Sequence, residues 1–309
     1  MPRRLMLLDS ASLYFRAFYG VPDRRSDPGD IPTNAVRGFL DMIATLVSDH
    51  QPTDFVACWD NDWRPEFRVA AIPSYKAHRV TEGSQVLEES PADLTPQVPY
   101  IVSLLAAIGI ARLGVDGYEA DDVIGTLAVA HHGMCPVDIV TGDRDLFQLV
   151  DDEAPVRVLY TARGGVRDPD IFDQSVLQAR YDVPTGRAYA EMAMLRGDSS
   201  DGLPGVPGIG EKTAATLLRR YGDLTTIRKA IADGDPMLKG AQRTRLEAAS
   251  DYLDVAPAVT NVALDVPVPA DLDTALPTEL ADPSALNRIR GEIDINTPVS
   301  RLLAALHLD

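Results

Sequence analysis

The residues of this chain best suited to chemistry are carboxylates. The stretch Glu119-Ala120-Asp121-Asp122 puts three acids into four positions at the head of an apolar helical run (Val123, Ile124, Leu127, Ala128), and a further pair, Asp143 and Asp145, follows. At 100° per residue, Glu119 and Asp122 lie within about 60° of one another on a helix, whereas Asp121 sits about 160° from Glu119. A single small ligand would not meet all three. The stretch therefore reads either as part of a site for more than one metal ion or as ordinary helix-start acids, which the macrodipole favours by about 0.3–1 kcal/mol each. Acids elsewhere bear on that choice. Asp9 and Asp60 each close an apolar run, and Asp198 and Asp201 form another pair with metal-ligand spacing. Two like charges about 4 Å apart repel by about 1 kcal/mol in water and about 4 at an effective dielectric of 20, so a cluster of five or more requires counter-charge. Oxygen ligands with no Cys or His among them point to Mg²⁺ or Mn²⁺ rather than zinc.

Two other stretches could hold phosphate. After Asp60, the basic residues Arg64, Arg68, Lys76, His78 and Arg79 interleave with Trp63, Phe67 and Tyr75. Such a run suits phosphate contact and base stacking, or else a solvated basic surface. Further on, Gly205-Val206-Pro207-Gly208-Ile209-Gly210 precedes a helix that carries Lys212 and Thr213. A tight glycine turn at a helix N-terminus can hold a phosphate through backbone amides, and it can equally be a plain connection between helices. The following Lys212, Arg219 and Arg220 favour a DNA-backbone clamp.

The elements that must position these residues alternate. Leu5–Leu8 reads as a buried strand ending at Asp9, with Ser10 capping a short helix that carries Tyr14, Arg16 and Phe18. Thr33 or Asn34 caps an amphipathic helix running to about Ser48. Phe55–Trp59 is a second strand, ending at Asp60, and Val137–Thr141 is another, with a Gly142 turn before Asp143. Residues 80–98 are polar, acidic and punctuated by Pro and Gly, which predicts a flexible loop or lid before a helix at about 99–108. Ile110–Arg112 is a weak strand and Val156–Tyr160 a stronger one, followed by a Gly164-Gly165 turn. Helices are expected at 169–180, 185–195, 212–221, 223–232 and 242–254, with a Pro-rich segment at 257–283 and a last helix at Val299–Leu306. Strand–helix–strand alternation implies an α/β fold with a parallel sheet, whose carboxyl edge would collect Asp9, Asp60 and Asp143.

Composition sets bounds. The 309 residues, 45% hydrophobic, allow one large domain and a smaller one. A net charge of −17 argues against a nucleic-acid binder taken globally. The chain stays acidic even with the nine candidate metal-site carboxylates set aside, so nucleic-acid contact must come from local basic patches and bound metal. The run Leu5–Leu8 is too short for a signal sequence, and no window approaches 18 apolar residues, so neither export nor membrane insertion is expected. Cys58 and Cys135 lack metal or redox spacing and read as reduced core residues, which suits a cytoplasmic location.

In combination and order, these motifs resemble the bacterial 5′ nuclease (flap endonuclease) family, which includes the N-terminal 5′ nuclease domain of bacterial DNA polymerase I. The likeness runs through about residues 5–255 and rests on Leu-Leu-Asp9, Trp-Asp60, Tyr75-Lys76-Ala77-His78-Arg79, the segment from Glu119 to Leu127, Thr141-Gly142-Asp143-Arg144-Asp145, and Gly197–Thr213. With no polymerase domain after Asp309, the chain resembles a stand-alone member. The resemblance implies a PIN-like parallel central sheet flanked by helices, with a helix-3-turn-helix DNA-binding region. On that pattern residues 1–182 form the catalytic domain with an arch at about 80–98, residues 183–258 the duplex-binding region, and residues 259–309 a C-terminal extension.

Carried over position by position, Asp9, Asp60, Glu119, Asp121, Asp122, Asp143, Asp145, Asp198 and Asp201 match the family's metal-site acids. Lys76 and Arg79 match its basic residues beside the scissile phosphate, Tyr75 the aromatic next to them, and Arg16 an arginine near the site. Gly205, Val206, Gly208, Ile209, Gly210, Lys212 and Thr213 match its duplex-binding hairpin, which in relatives holds K⁺ through backbone carbonyls. The arch is unusually acidic here (Glu82, Glu88, Glu89, Asp93), and Gly202 stands where Asn is common. The implied activity is 5′→3′ exonuclease and flap endonuclease cleavage of DNA with 5′ ends or flaps next to duplex. Two or more Mg²⁺ or Mn²⁺ ions, roughly 3.5–4 Å apart, would serve it. A monomer working alongside a DNA polymerase and a ligase, without membrane attachment, completes the expectation. Two other readings remain: a PIN-like ribonuclease sharing the acidic cluster, and a non-catalytic DNA-binding scaffold with a degenerate site.

Overall fold

Alternating apolar runs and helices build the first half of the chain. The computed structural model describes residues 2–27, 29–81 and 88–308. β1 (Leu5–Asp9) leads into α1 (Ser10–Gly20) and α2 (Asn34–His50), and β2 (Asp54–Cys58) into α3 (Glu66–Ala71) and α4 (Val98–Ile108). β3 (Ala111–Leu113) precedes α5 (Ala120–Ala130), and β4 (Val137–Thr141) precedes the hairpin of β5 (Val156–Gly164) and β6 (Asp168–Phe172). The sheet order is β3-β2-β1-β4-β5-β6; the first five strands run parallel, and β6 lies antiparallel to β5. Every residue of β1, β2 and β4 is buried, as helices on both faces of a parallel sheet require. β1 pairs β2 on one side and β4 on the other, so the chain reverses its direction of sheet growth between β1 and β4. The crevice at the carboxyl end of that switch point is where ligands bind in such sheets.

Side chains alternate between two cores. Leu5, Leu7, Val56 and Ile139 face α5 and the helices of the second half, while Met6, Leu8, Phe55 and Val140 face α2 and α4. The second half is helical: α6 (Gln174–Tyr181), α7 (Gly186–Arg196), α8 (Glu211–Tyr221), α9 (Leu224–Ala232), α10 (Gly240–Ala248) and α11 (Ser250–Thr260). α12 (Pro283–Glu292) and α13 (Asn296–Leu306) return to the other face, where Leu286, Ile289, Val299 and Leu302 join the core under α2 and α4. Between them and α11, the chain passes the edge of β2, with Phe55 N donating to Thr274 O at 2.7 Å and Leu276 N to Thr53 O at 3.0 Å. Among the described residues no helix is long and apolar enough to cross a membrane.

Local differences from the sequence expectations have local causes. Asp9, not Ser10, caps α1, accepting from Ser12 N at 3.1 Å. The helix expected at 169–180 begins only at Gln174, because the turn at Gly164-Gly165 folds residues 168–172 back onto β5 and Asp173 then caps α6. The span 242–254 breaks at Ala249 into α10 and α11, and α3 and α12 arise where no helix was expected. Part of the expected arch, residues 82–87, lies outside the described residues.

Candidate active site

Three strand ends deliver the first acids. Asp9 closes β1 with its carboxylate already engaged: Oδ1 caps α1, and Oδ2 accepts from Thr141 Oγ at 2.6 Å. The same hydroxyl accepts from Asp143 N at 2.8 Å, so one threonine ties the ends of β1 and β4 together. Asp143 in turn accepts from Asp145 N at 2.9 Å, which sets the spacing of that pair. Asp60, beyond β2, accepts from Ala120 N at 2.9 Å and so fixes the head of α5 against the sheet edge. These acids, with Glu119, Asp121, Asp145 and Asp198, line one cavity of about 560 Å³ that Lys76 and Arg79 also face.

The charges in this cavity are unevenly compensated. Glu119 is surrounded by donors: it pairs with Lys76, accepts from Tyr75 Oη at 2.7 Å, and meets Arg68 at 2.5 Å. Among the described residues the acids of the sheet edge form no such ion pair, and only the field of Lys76 reaches Asp60, Asp121 and Asp145. Burial, then Asp60, pushes the Asp9 carboxyl up to about 7, against the opposing hydrogen bonds from Thr141 and Ser12. Asp121 is raised well above the carboxylate range by burial and by Asp9 and Asp143; Asp145 is raised by burial and by Asp143 and Asp201. Lys76 moves the other way from what burial dictates, because Glu119 holds it charged. An acidic wall short of positive charge faces a basic wall that is held in place. That is the arrangement a cation and a phosphate together would complete.

Among the described residues no three His, Cys, Asp or Glu side chains are drawn together closely enough to hold a metal ion by themselves. The donor set nonetheless fits Mg²⁺ or Mn²⁺. It is all oxygen, and Mg²⁺ takes one or two carboxylates while keeping several waters, which an acid-lined cavity accommodates better than a closed cage.

Several residues stand elsewhere than their sequence pattern suggests. Asp122 does not line the cavity; its carboxylate pairs with Arg68 and also accepts from the backbone of Glu119 and Ala263, so it is committed to structure. Arg68, read in sequence as part of a phosphate-binding run, is 2% exposed and spans Glu119, Asp122 and the carbonyl of Val259. Arg64 serves the backbone too, donating to Tyr75 O at 2.6 Å and Pro73 O at 3.0 Å. Asp201 does not line the cavity and pairs with Arg79, 2.8 Å from its guanidinium, whereas Asp198 does line it and accepts from Ser200 N at 2.8 Å. Arg16 lines a neighbouring recess with Ser12, Phe15 and Tyr19 rather than the acidic cavity, and reaches Ala162 O at 3.4 Å.

The glycine turn before α8 is only partly a surface. Val206 and Ile209 are buried, and their amides are spent on Leu195 O and Val206 O, each at 2.9 Å, so they anchor the turn rather than meet a ligand. Gly208, Gly210 and Lys212 form its exposed face; Thr213 N donates to Gly210 O at 3.0 Å within the first turn of the helix. Sequence reasoning missed Arg245, whose Nη1 donates to Gly208 O at 3.1 Å. A Cβ on Gly208 would stand 2.7 Å from that guanidinium, so the glycine makes room for it. No local signal announces this pair, since 37 residues separate its members.

The family model for the 5′-3′ exonuclease N-terminal resolvase-like domain matches residues 4–182, and that for the 5′-3′ exonuclease C-terminal SAM fold matches residues 184–283. A 5′-3′ exonuclease of Streptomyces coelicolor is 55% identical, with 97% of this chain and 99% of that protein covered. DNA polymerase I of Mycobacterium bovis is 37% identical over 98% of this chain, which matches 32% of the polymerase. Among solved structures, the bacteriophage T5 D15 flap endonuclease in a pseudo-enzyme–product complex with DNA and metal ions superposes with a TM-score of 0.64 at 16% identity. That match covers 99% of this chain and 98% of the phage protein.

Proposed function

Since this chain belongs to the 5′-3′ exonuclease family, we propose that it is a divalent-metal-dependent 5′→3′ exonuclease and flap endonuclease, hydrolysing DNA phosphodiesters near 5′ ends that adjoin duplex. One observation carries the reading: the uncompensated acids at the carboxyl edge of the sheet and the braced cations Lys76 and Arg79 face each other across a single cavity. Mg²⁺ or Mn²⁺ ions held by Asp9, Asp60, Asp121, Asp143 and Asp145, with Glu119, Asp198 and Asp201 around them, would activate water and neutralise developing charge.

The chain's own residues supply the rest. Glu119 and Tyr75 aim Lys76 at the phosphate, Asp201 aims Arg79, and both cations offset charge that develops on the phosphate oxygens. The turn at Gly208 and Gly210, with Lys212 and Arg245, grips duplex backbone without reading bases. K⁺ would bind there through backbone carbonyls. Residues 1–182 serve catalysis and 183–258 duplex binding, while 259–309 clasp the catalytic sheet. A monomer suffices, because one chain supplies both cavity and turn. Removing a 5′ flap behind a polymerase would leave a nick for a ligase.

The test is cleavage of a 5′-flap DNA, with single-stranded RNA in parallel. Asp143→Asn or Asp145→Asn should abolish hydrolysis while duplex affinity persists. Retained Mg²⁺-dependent activity in those variants, or preference for the RNA, would sink the proposal.

A further inference from the structure

The catalytic cavity holds one carboxylate that neither the strand ends nor the acidic motifs provide. Glu88 lines it beside Lys76 and Arg79. Backbone pairing sets its place: Val80 and Glu88 form an antiparallel bridge, and Glu89 N donates to Arg79 O at 2.8 Å. The Glu88-Glu89 part of the expected arch is thereby laid against Arg79 and Val80, so Glu88 and Arg79 enter the cavity from the same wall. The sheet-edge acids approach from the strand ends. Arg79 is held by Asp201 at 2.8 Å and by Ser200 O at 3.0 Å, both through Nη2, and it lines the cavity with its other donors left for a ligand among the described residues. The fields agree with this placement. Burial pushes the Glu88 carboxyl up, Arg79 and Lys76 pull it down, and Asp60 and Glu119 push it up again. Glu88 thus shares the cavity with the acidic wall and lies in the field of the two cations that a phosphate would need.

We infer that Glu88 is an internal competitor for the substrate phosphate: its carboxylate occupies the field of Arg79 and Lys76, and a phosphodiester must displace it to be captured. This rests on the nuclease reading above and deepens it by naming a residue that sets substrate affinity. A carboxylate in this position weakens ground-state capture without touching the hydrolytic step, so its removal changes KM rather than kcat. It also reduces the positive charge that the phosphate meets, so its removal steepens the salt dependence of binding.

The experiment compares wild type, Glu88→Gln, Glu88→Ala and Arg79→Ala, alone and combined, on a 5′-flap DNA with Mg²⁺. Each variant is first checked by thermal melting. Glu88→Gln should lower KM about three- to tenfold and steepen the plot of log affinity against log salt, with kcat within about twofold of wild type. In the Arg79→Ala background the gain should largely vanish. A tenfold fall in kcat at unchanged KM would overturn the inference, because the carboxylate would then serve the chemistry. Unchanged KM, kcat and salt slope would overturn it as well, leaving Glu88 a spectator. Failure of the nuclease reading is a separate result: wild-type protein that cuts no DNA with either Mg²⁺ or Mn²⁺.

Discussion

Arg68 and Asp122 form a two-pronged ion pair sealed from solvent, with Nη2–Oδ1 at 2.6 Å and Nη1–Oδ2 at 2.8 Å. The same guanidinium reaches Glu119 and donates to Val259 O at 3.1 Å at the end of α11. Asp122 therefore locks the head of α5 to the C-terminal half of the chain, although it shares a motif with acids that face the cavity.

That division of labour predicts opposite phenotypes within one motif. Asp122→Ala should cost roughly 3–5 kcal/mol of stability, because it strands a buried guanidinium. Asp143→Asn should leave stability unchanged or higher, because it relieves the repulsion that Asp143 exerts on Asp9, Asp121 and Asp145. Chemical denaturation of the two variants tests this, and equal losses would contradict it.

The acidic wall gives stability a defined pH dependence. Asp9 ionises near 3.8 in an unfolded chain and at about 7 in the fold, so the fold favours its protonated form. Its penalty is absent below 3.8, grows as pH climbs, and is complete above about 7. Asp60, Asp121 and Asp145 shift in the same direction. Protein stripped of divalent ions should lose thermal stability across that window, and added Mg²⁺ should raise Tm more at pH 8 than at pH 5. An equal Mg²⁺ effect at both pH values would argue against cation binding at this wall. Asp54 behaves oppositely. Burial raises it, but hydrogen bonds from Arg3, Thr274 and Thr53 prevail and hold it at about 2, so its contribution is present above 3.8 and is lost as pH falls through 2.

What the sequence revealed follows the range of the interactions involved. Asp9, Asp60 and Asp143 were legible at strand ends because an apolar run and the polar residue that stops it are neighbours in the chain. β6 was not: Asp168, Pro169 and Asp170 lack a strand's apolar alternation, and the segment is a strand only because the Gly164-Gly165 turn returns it to β5. The burial of Arg68 was equally hidden, since its acidic partners lie 51 and 54 residues away and composition does not distinguish a solvated arginine from a buried one. Asp122 was misplaced for the related reason that a shared motif does not give side chains one direction.

Gly202 marks a close approach between the two halves of the site. It adopts φ +73°, and a Cβ there would stand 2.1 Å from Ser74 O. Ser74 Oγ donates to Gly202 O at 2.8 Å and Lys76 N to Asp201 O at 3.0 Å, so this contact seats the Lys76 loop. Gly202→Asn satisfies the backbone conformation but not the space. It should cost about 1–3 kcal/mol as an overpacked contact. By moving Lys76 about 1 Å it should also lower kcat on the order of 100-fold. Wild-type kcat in the Asn variant would show that the loop is seated by other means.

The C-terminal extension, which the sequence left without a role, supplies part of the catalytic sheet's support. α13 lies along α2, and Val299 and Leu302 are fully buried in the core that also holds Met6, Leu8 and Phe55. The backbone at Thr274 and Leu276 pairs with the edge of β2, while Thr274 Oγ1 donates to Asp54 at 2.7 Å. Leu302→Ala should therefore cost about 2–5 kcal/mol, the range for emptying a buried leucine site. Since β1 and β2 position Asp9 and Asp60, truncation before α12 should abolish folding of the nuclease domain rather than merely shorten the protein. Urea titration of the Leu302 variant and circular dichroism of the truncated chain test both statements. A truncated protein that melts cooperatively near the wild-type temperature would show that residues 1–282 fold without α12 and α13.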